Sequence, residues 1–170
     1  MKRSRAVTRQ ADRTGRPCLM LEMLEPRLLL SAYWVSTEGS NNNAGTEASP
    51  WATLQHAANQ VVAGDTVHVL AGEYAGFQTR RGGTAENPIQ FIAEQGVIIT
   101  QPEPVANYRG IHVYFSDHVL IEGFEVVGMP NAGIAVRFSD NVTVRNNFTH
   151  DNQVWGILTS HADDLMIEHN

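Results

Sequence analysis

An all-β parallel solenoid, closed at its N-terminal end by a helix, is the architecture this sequence predicts, and three observations predict it. The phrase SDHVLIE (116–122) returns as SDNVTVR (139–145) and as ADDLMIE (162–168). The pair Gly110-Ile111 recurs at Gly133-Ile134 and Gly156-Ile157, an interval of 23 residues both times. Beyond residue 64 the apolar residues alternate with period two, as in half-buried strands, and no segment has helical period. One turn of a parallel solenoid built from two or three short strands has this length. A leucine-rich repeat is as long but needs its Leu-x-x-Leu-x-Leu frame, and a propeller blade is about twice as long.

The elements follow in order. Tyr33-Trp34-Val35 gives a first strand, and the Gly, Ser and Asn cluster at 39–45 a loop. After Ser49-Pro50, Leu54, Ala57, Ala58 and Val61 share one face at spacings of three and four, which predicts a helix of about ten residues ending near Gly64. The period then changes. In DTVHVLAGEY, Val67, Val69 and Ala71 point one way and Thr66, His68 and Leu70 the other, and NPIQFIAEQGVIIT supplies two more strands.

Within the repeat the columns sort by face. Ile111, Val113 and Phe115 are expected inward, over Ile134, Val136 and Phe138 and then Ile157, Thr159 and His161. Val119 and Ile121, Val142 and Val144, and Leu165 and Ile167 form a second inward column.

Charge restricts the partners. The chain carries 12 Lys and Arg against 18 Asp and Glu, but seven of the basic residues lie in positions 1–32. Positions 33–170 are left with five arginines, no lysine and fifteen acids, a net charge of −10. Such a body repels nucleic acid, which requires a basic face. No run approaches the ~18 apolar residues of a membrane span. The single Cys18 leaves the body without a disulfide, so packing must hold it.

Four sets of residues could carry chemistry. On the outward side of the first repeat strand, His112 and Tyr114 lie beside Arg137 of the next coil, a ring and a guanidinium suited to stacking on a sugar and pairing with its carboxylate. Asp117, Asp140 and Asp163 share a turn column with Asp164 adjacent; such carboxylates either cap turns or hold a cation, calcium being the one that prefers oxygen alone. Glu122, Arg145 and Glu168 alternate in sign up one column, a structural ladder. In the run 146–152, His150-Asp151 has the form of a dyad, but Asn147 falls in one column with Asn170, and a stacked amide ladder is the preferred reading.

Two stretches resemble known families. LEMLEPRLLLSA (21–32) is similar to the LEPR-x-L-L leader of planctomycete-type bacteria, carried by Leu24-Glu25-Pro26-Arg27 and Leu29-Leu30. That resemblance implies that 1–32 is a basic export signal and that the protein is secreted or at the cell surface. The start YWVSTEGSNNNAGTEASPWATLQHAANQVVAGDTVHVLAGEY, with GGTAENPIQFIAEQG, resembles the right-handed parallel β-helix proteins of the pectate lyase superfamily, in particular family nine polysaccharide lyases.

It implies a right-handed β-helix over 33–170 with an N-terminal capping helix, an acidic extracellular polysaccharide as partner, and uronate β-elimination assisted by calcium. Family nine lyases use a lysine base and an aspartate-held calcium; this body has no lysine, and Asp163-Asp164 does not reproduce that calcium pattern, so no catalytic residue carries over. A non-catalytic adhesion or glycan-binding module is the competing class. The last coil stops part-way at Asn170, from which the sequence is expected to be the first part of a longer protein or else a truncated product.

Overall fold

The structure is a computed structural model that describes residues 31–106 and 108–170. Its strands are β1 (Ala32–Val35), β2 (Thr66–Val69), β3 (Gly72–Ala75), β4 (Phe77–Thr79), β5 (Ile89–Ala93), β6 (Val97–Gln101) and β7 (Arg109–Tyr114). They continue as β8 (Val119–Glu122), β9 (Glu125–Val127), β10 (Ala132–Arg137), β11 (Thr143–Arg145), β12 (Phe148–His150), β13 (Trp155–Ser160) and β14 (Met166–Glu168). One helix, α1 (Leu54–Gln60), lies between β1 and β2.

Every named strand pair is parallel, and the strands form three sheets, ordered β1-β2-β5-β8-β11-β14, β4-β7-β10-β13 and β3-β6-β9-β12. The solenoid expected from the 23-residue repeat is therefore present, with three strands to a coil. The third sheet passes through the Asn-rich run, where Phe148–His150 is a strand and not only a corner.

The helix is shorter than its periodicity predicts. Thr53 caps its start by accepting the His56 N–H, and Leu54, Ala57 and Ala58 are buried. It ends before Val61 because the buried Asp65 carboxylate accepts the Val62 N–H at 2.8 Å and bends the chain into a turn. Val61 stays in the core from outside the helix.

The core is a stack of like residues. Ile111, Ile134 and Ile157 pair in register, as do Val113, Val136 and Thr159. Phe77 packs 4.6 Å from Phe91 and 6.2 Å from Phe124, ring centroid to centroid. The second inward column holds at Val119, Ile121, Val142 and Val144, while Ile167 is exposed because no further coil covers it among the described residues.

Four expected inward positions are corrected. Phe115 and Phe138, with His161 in the same column, have φ of 50°, 50° and 52°, so the strand ends at the residue before each and alternation no longer sets their direction. They turn outward and stack, at 4.9 Å between Phe115 and Phe138 and 4.7 Å between Phe138 and His161. Ala71 is likewise exposed, because β2 ends at Val69.

Candidate functional site

On the sheet β4-β7-β10-β13, the residues that alternate with the core form two outward rows. Strand register sets Gln78 beside His112, His112 beside Ala135 and Ala135 beside Leu158. The next row runs from Tyr114 to Arg137 to Ser160, and Arg80, one residue past β4, extends it on the other side. The Arg80 guanidinium lies 4.8 Å from the centroid of the Tyr114 ring. None of these four strands contains Asp or Glu.

Arg80 is held where the chain makes a close crossing. A Cβ on Gly82 would sit 2.8 Å from the Asp117 carbonyl oxygen and 2.9 Å from its nitrogen, and Gly83 N–H donates to that oxygen at 2.8 Å. Only glycine lets the loop return so closely over the turn that follows β7.

The first row is not a surface. Gln78, His112 and Ala135 are all buried, although they face away from the core, and His112 is only 3% exposed. The expected contact of His112 with a ligand is thereby corrected: Tyr114 and Arg137 reach solvent, and His112 supports them from below.

Its chemistry follows from its neighbours. Arg80 Nε donates to Gln78 Oε1 at 3.1 Å, which fixes the amide so that Gln78 Nε2 faces His112 Nδ1 at 2.7 Å. An amide nitrogen only donates, so Nδ1 accepts and the ring proton sits on Nε2, which is buried without a partner. Burial first, then the charges of Arg109, Arg137 and Arg80, lower the His112 pKa from 6.5 to about 3. The ring is neutral, and it packs 4.9 Å from Tyr114.

The arginines divide sharply by partner. Of the five beyond residue 32, only Arg145 pairs with a carboxylate among the described residues, at 2.9 Å from Glu122. The other four meet aromatic faces or carbonyls: Arg80 on Tyr114, Arg109 at 4.2 Å over Tyr108, Arg137 at 5.5 Å over Phe138, and Arg81 donating to the Val61 carbonyl. A guanidinium on an aromatic face keeps its in-plane donors for another ligand.

The aspartate column is built differently from a cation site. Asp117 Oδ1 accepts the Asp140 N–H, and Asp140 Oδ1 accepts the Asp163 N–H, each at 2.8 Å. The carboxylates thus join one coil's turn to the next. Among the described residues no three His, Cys, Asp or Glu side chains form a group that could hold a metal ion. Asp117, Asp140, Asp163 and Asp164 do not fit the calcium that the resemblance implies, and no chemical step is derived through it.

The amide ladder is present: Asn147 Oδ1 accepts the Phe124 N–H, and Asn170 Oδ1 accepts the Asn147 N–H, each at 3.0 Å. His150 nonetheless bonds Asp151 at 2.9 Å and Glu125 at 3.2 Å, and those two bonds raise its pKa.

Residues 33–170 match the family described as Pel9A-like, right-handed β-helix region. The chain belongs to that family. The handedness of the coils is thereby established as well. The Pel9A-like chain is 28% identical over 163 residues to a pectate lyase, PEL9, of Emericella nidulans, covering 84% of this chain and 40% of that protein. It is 37% identical over 141 residues to the uncharacterised protein YwoF of Bacillus subtilis, covering 77% of this chain and 30% of the other. A solved rhamnogalacturonan lyase superposes with a TM-score of 0.54 at 24% identity, over 69% of this chain and 36% of that one, and shares the fold. The chain therefore spans well under half the length of these relatives.

Two members of this face, Gln78 and Arg80, escape a reading by repeat. Gln78 lies 34 residues before its partner His112, whereas later coils bond at intervals of 23. The loops at 80–88 and 102–106 lengthen that coil, so β4 pairs with β7 at an offset outside the 23-residue frame. The signal that could have found them is the acid-free strand FQTRR, the only place where two arginines adjoin beyond residue 32. The LEPR-containing leader at 21–32 lies outside the described residues except for its last two. No helix among the described residues is long and apolar enough to cross a membrane.

Proposed function

We propose that this chain binds an acidic polysaccharide along the outward face of the sheet β4-β7-β10-β13, as part of an exported protein whose whole length eliminates or anchors a uronate polymer. One observation carries the reading. In a body of net charge −10, four of five arginines lack a carboxylate partner among the described residues, and two of them, Arg80 and Arg137, stand on either side of Tyr114 on the outward face of this sheet. The rest of the surface repels a polyanion, so this face is where one can dock.

The parts divide the work. Arg80 and Arg137 flank Tyr114 on successive rungs, so their forks offer paired donors to carboxylates while the ring edge meets the sugar. Neutral His112 holds Tyr114 in place without adding charge. The names of the relatives, a pectate lyase and a rhamnogalacturonan lyase, agree with a polymer of acidic sugars.

Titration of the chain with an oligogalacturonate by calorimetry tests this. Binding that weakens between 50 and 200 mM salt, and about tenfold on Arg137→Ala, is the expected result. Unchanged affinity in Arg137→Ala would reject the face as the binding surface.

A further inference from the structure

A cleft of about 430 Å³ lies between α1 and the end of β4, lined by Gln55, Asn59, Gln78, Arg80, Arg81 and Val105. Its hydrogen-bonding capacity is one-sided. Each side-chain acceptor in its wall already accepts a hydrogen bond: Gln78 Oε1 from Arg80 Nε, Gln55 Oε1 from Gln78 N–H, and Asn59 Oδ1 from Gln55 Nε2. The other Gln55 Nε2 bond goes to the Gln78 carbonyl, which binds the helix to the strand.

What remains free is donors. Asn59 Nδ2 has no partner among the described residues, nor do the terminal nitrogens of Arg80, and Arg81 places only Nη1, on the Val61 carbonyl at 3.3 Å. No carboxylate lines the cleft. Two guanidiniums, which only donate, and a carboxamide whose oxygen already accepts a bond select an anion, and an oxyanion in particular, since the forked donors match its geometry.

We propose that this cleft is a second anion site, which takes a carboxylate or sulfate group of the bound polymer at the helix-capped end of the solenoid. This rests on the polysaccharide reading above and extends it, because Arg80 belongs both to the cleft and to the sheet face. A chain lying on Tyr114 and Arg137 would place one acidic group in the cleft as it passes Arg80, so the helix-capped end fixes where the polymer sits along the axis.

Arg81 and Asn59 line the cleft and take no part in the sheet face, so they separate the two sites. Arg81→Gln is expected to weaken oligogalacturonate binding about tenfold and to lower its salt dependence. Asn59→Asp keeps the acceptor that holds Gln55 but puts a carboxylate in the cleft, and should weaken binding at least as much with an unchanged melting temperature. Sodium sulfate and monomeric galacturonate, each followed by the amide NMR shifts of residues 55–59 and 80–81, distinguish the sources: a response to sulfate alone assigns a sulfate ester, and to galacturonate a carboxylate. Wild-type affinity in folded Asn59→Asp and Arg81→Gln, with Arg137→Ala still impaired, would overturn the cleft and leave the sheet face standing. Loss of all polyanion binding in the wild type would overturn both.

Discussion

Two sheets of this solenoid carry arginine on the same 23-residue repeat, and they treat it in opposite ways. On the sheet β5-β8-β11-β14, Arg145 stands in register with Glu122 on one side and Glu168 on the other, and it bonds Glu122 at 2.9 Å. On β4-β7-β10-β13, Arg137 stands in register with Tyr114 and Ser160, neither of them charged. The first arrangement neutralises itself and joins coil to coil. The second leaves positive charge open to a ligand in an acidic molecule. The same residue at the same kind of rung is therefore paired or left open according to what its neighbours in the column supply.

The sharpest way to break that contrast is to convert one face into the other. Ser160→Glu sets a carboxylate beside Arg137 just as Glu122 lies beside Arg145. An ion pair formed across the rungs would compete with any bound carboxylate, and we expect oligogalacturonate affinity to fall at least tenfold while the melting temperature holds or rises slightly. Calorimetry and a thermal melt on the same sample read both. Retained affinity would mean that open charge on Arg137 is not what binds.

How much of this contrast the sequence reveals depends on which coil is considered. From β7 onward the 23-residue frame places Arg145 with its acids and Arg137 with Tyr114 correctly, because parallel in-register stacking turns a sequence interval into a spatial neighbour. Before β7 the coils are longer and irregular, so Arg80, Arg81 and Gln78 have no partner that counting can find. Burial escapes for another reason. Alternation sets the side of the sheet on which His112 lies, but not that neighbouring side chains then cover it. Phe115 and Phe138 depart from alternation because each lies one residue past its strand end, in a left-handed turn that the columns Gly123-Asn146-His169 and His118-Asn141-Asp164 also adopt. The first of these columns does show it in sequence, through its glycine.

His112 sharpens the comparison from beneath, since the open face rests on a ring that must stay neutral. Its pKa is about 3 in the folded chain against 6.5 when exposed. Below pH 6.5 the unfolded chain takes up a proton that the folded one refuses, so stability falls by ~1.4 kcal/mol for each pH unit from there down to about pH 3. Above pH 6.5 the group adds no slope. Urea unfolding of wild type and His112→Gln between pH 7 and 4 should show a shallower acid slope in the variant, after allowance for any loss common to all pH values. Equal slopes would mean that His112 is protonated in the fold, and the neutral support for Tyr114 would fall with it.

The paired face should respond least, and in a different pH range. The Arg145 hydrogen bond, opposed by burial and then helped by a bond from Asn146 and by the Arg145 charge, holds the Glu122 pKa below the ordinary range. The stability this supplies is fully present above the ordinary glutamate pKa and is lost as pH falls through the depressed value, so it disappears at the acid end of the scale. Because Arg145 is solvated, the loss on Glu122→Gln should be a small drop in melting temperature at pH 7, reduced further by salt and absent once wild-type Glu122 is itself protonated. The same variant leaves Arg145 with no bonded carboxylate among the described residues, only the charge of Glu168 on the next rung. If incomplete pairing alone creates a docking surface, Glu122→Gln should gain oligogalacturonate binding at that sheet; if the aromatic ring and the second arginine are also required, it should gain none, and we expect none because no ring flanks Arg145 in its column.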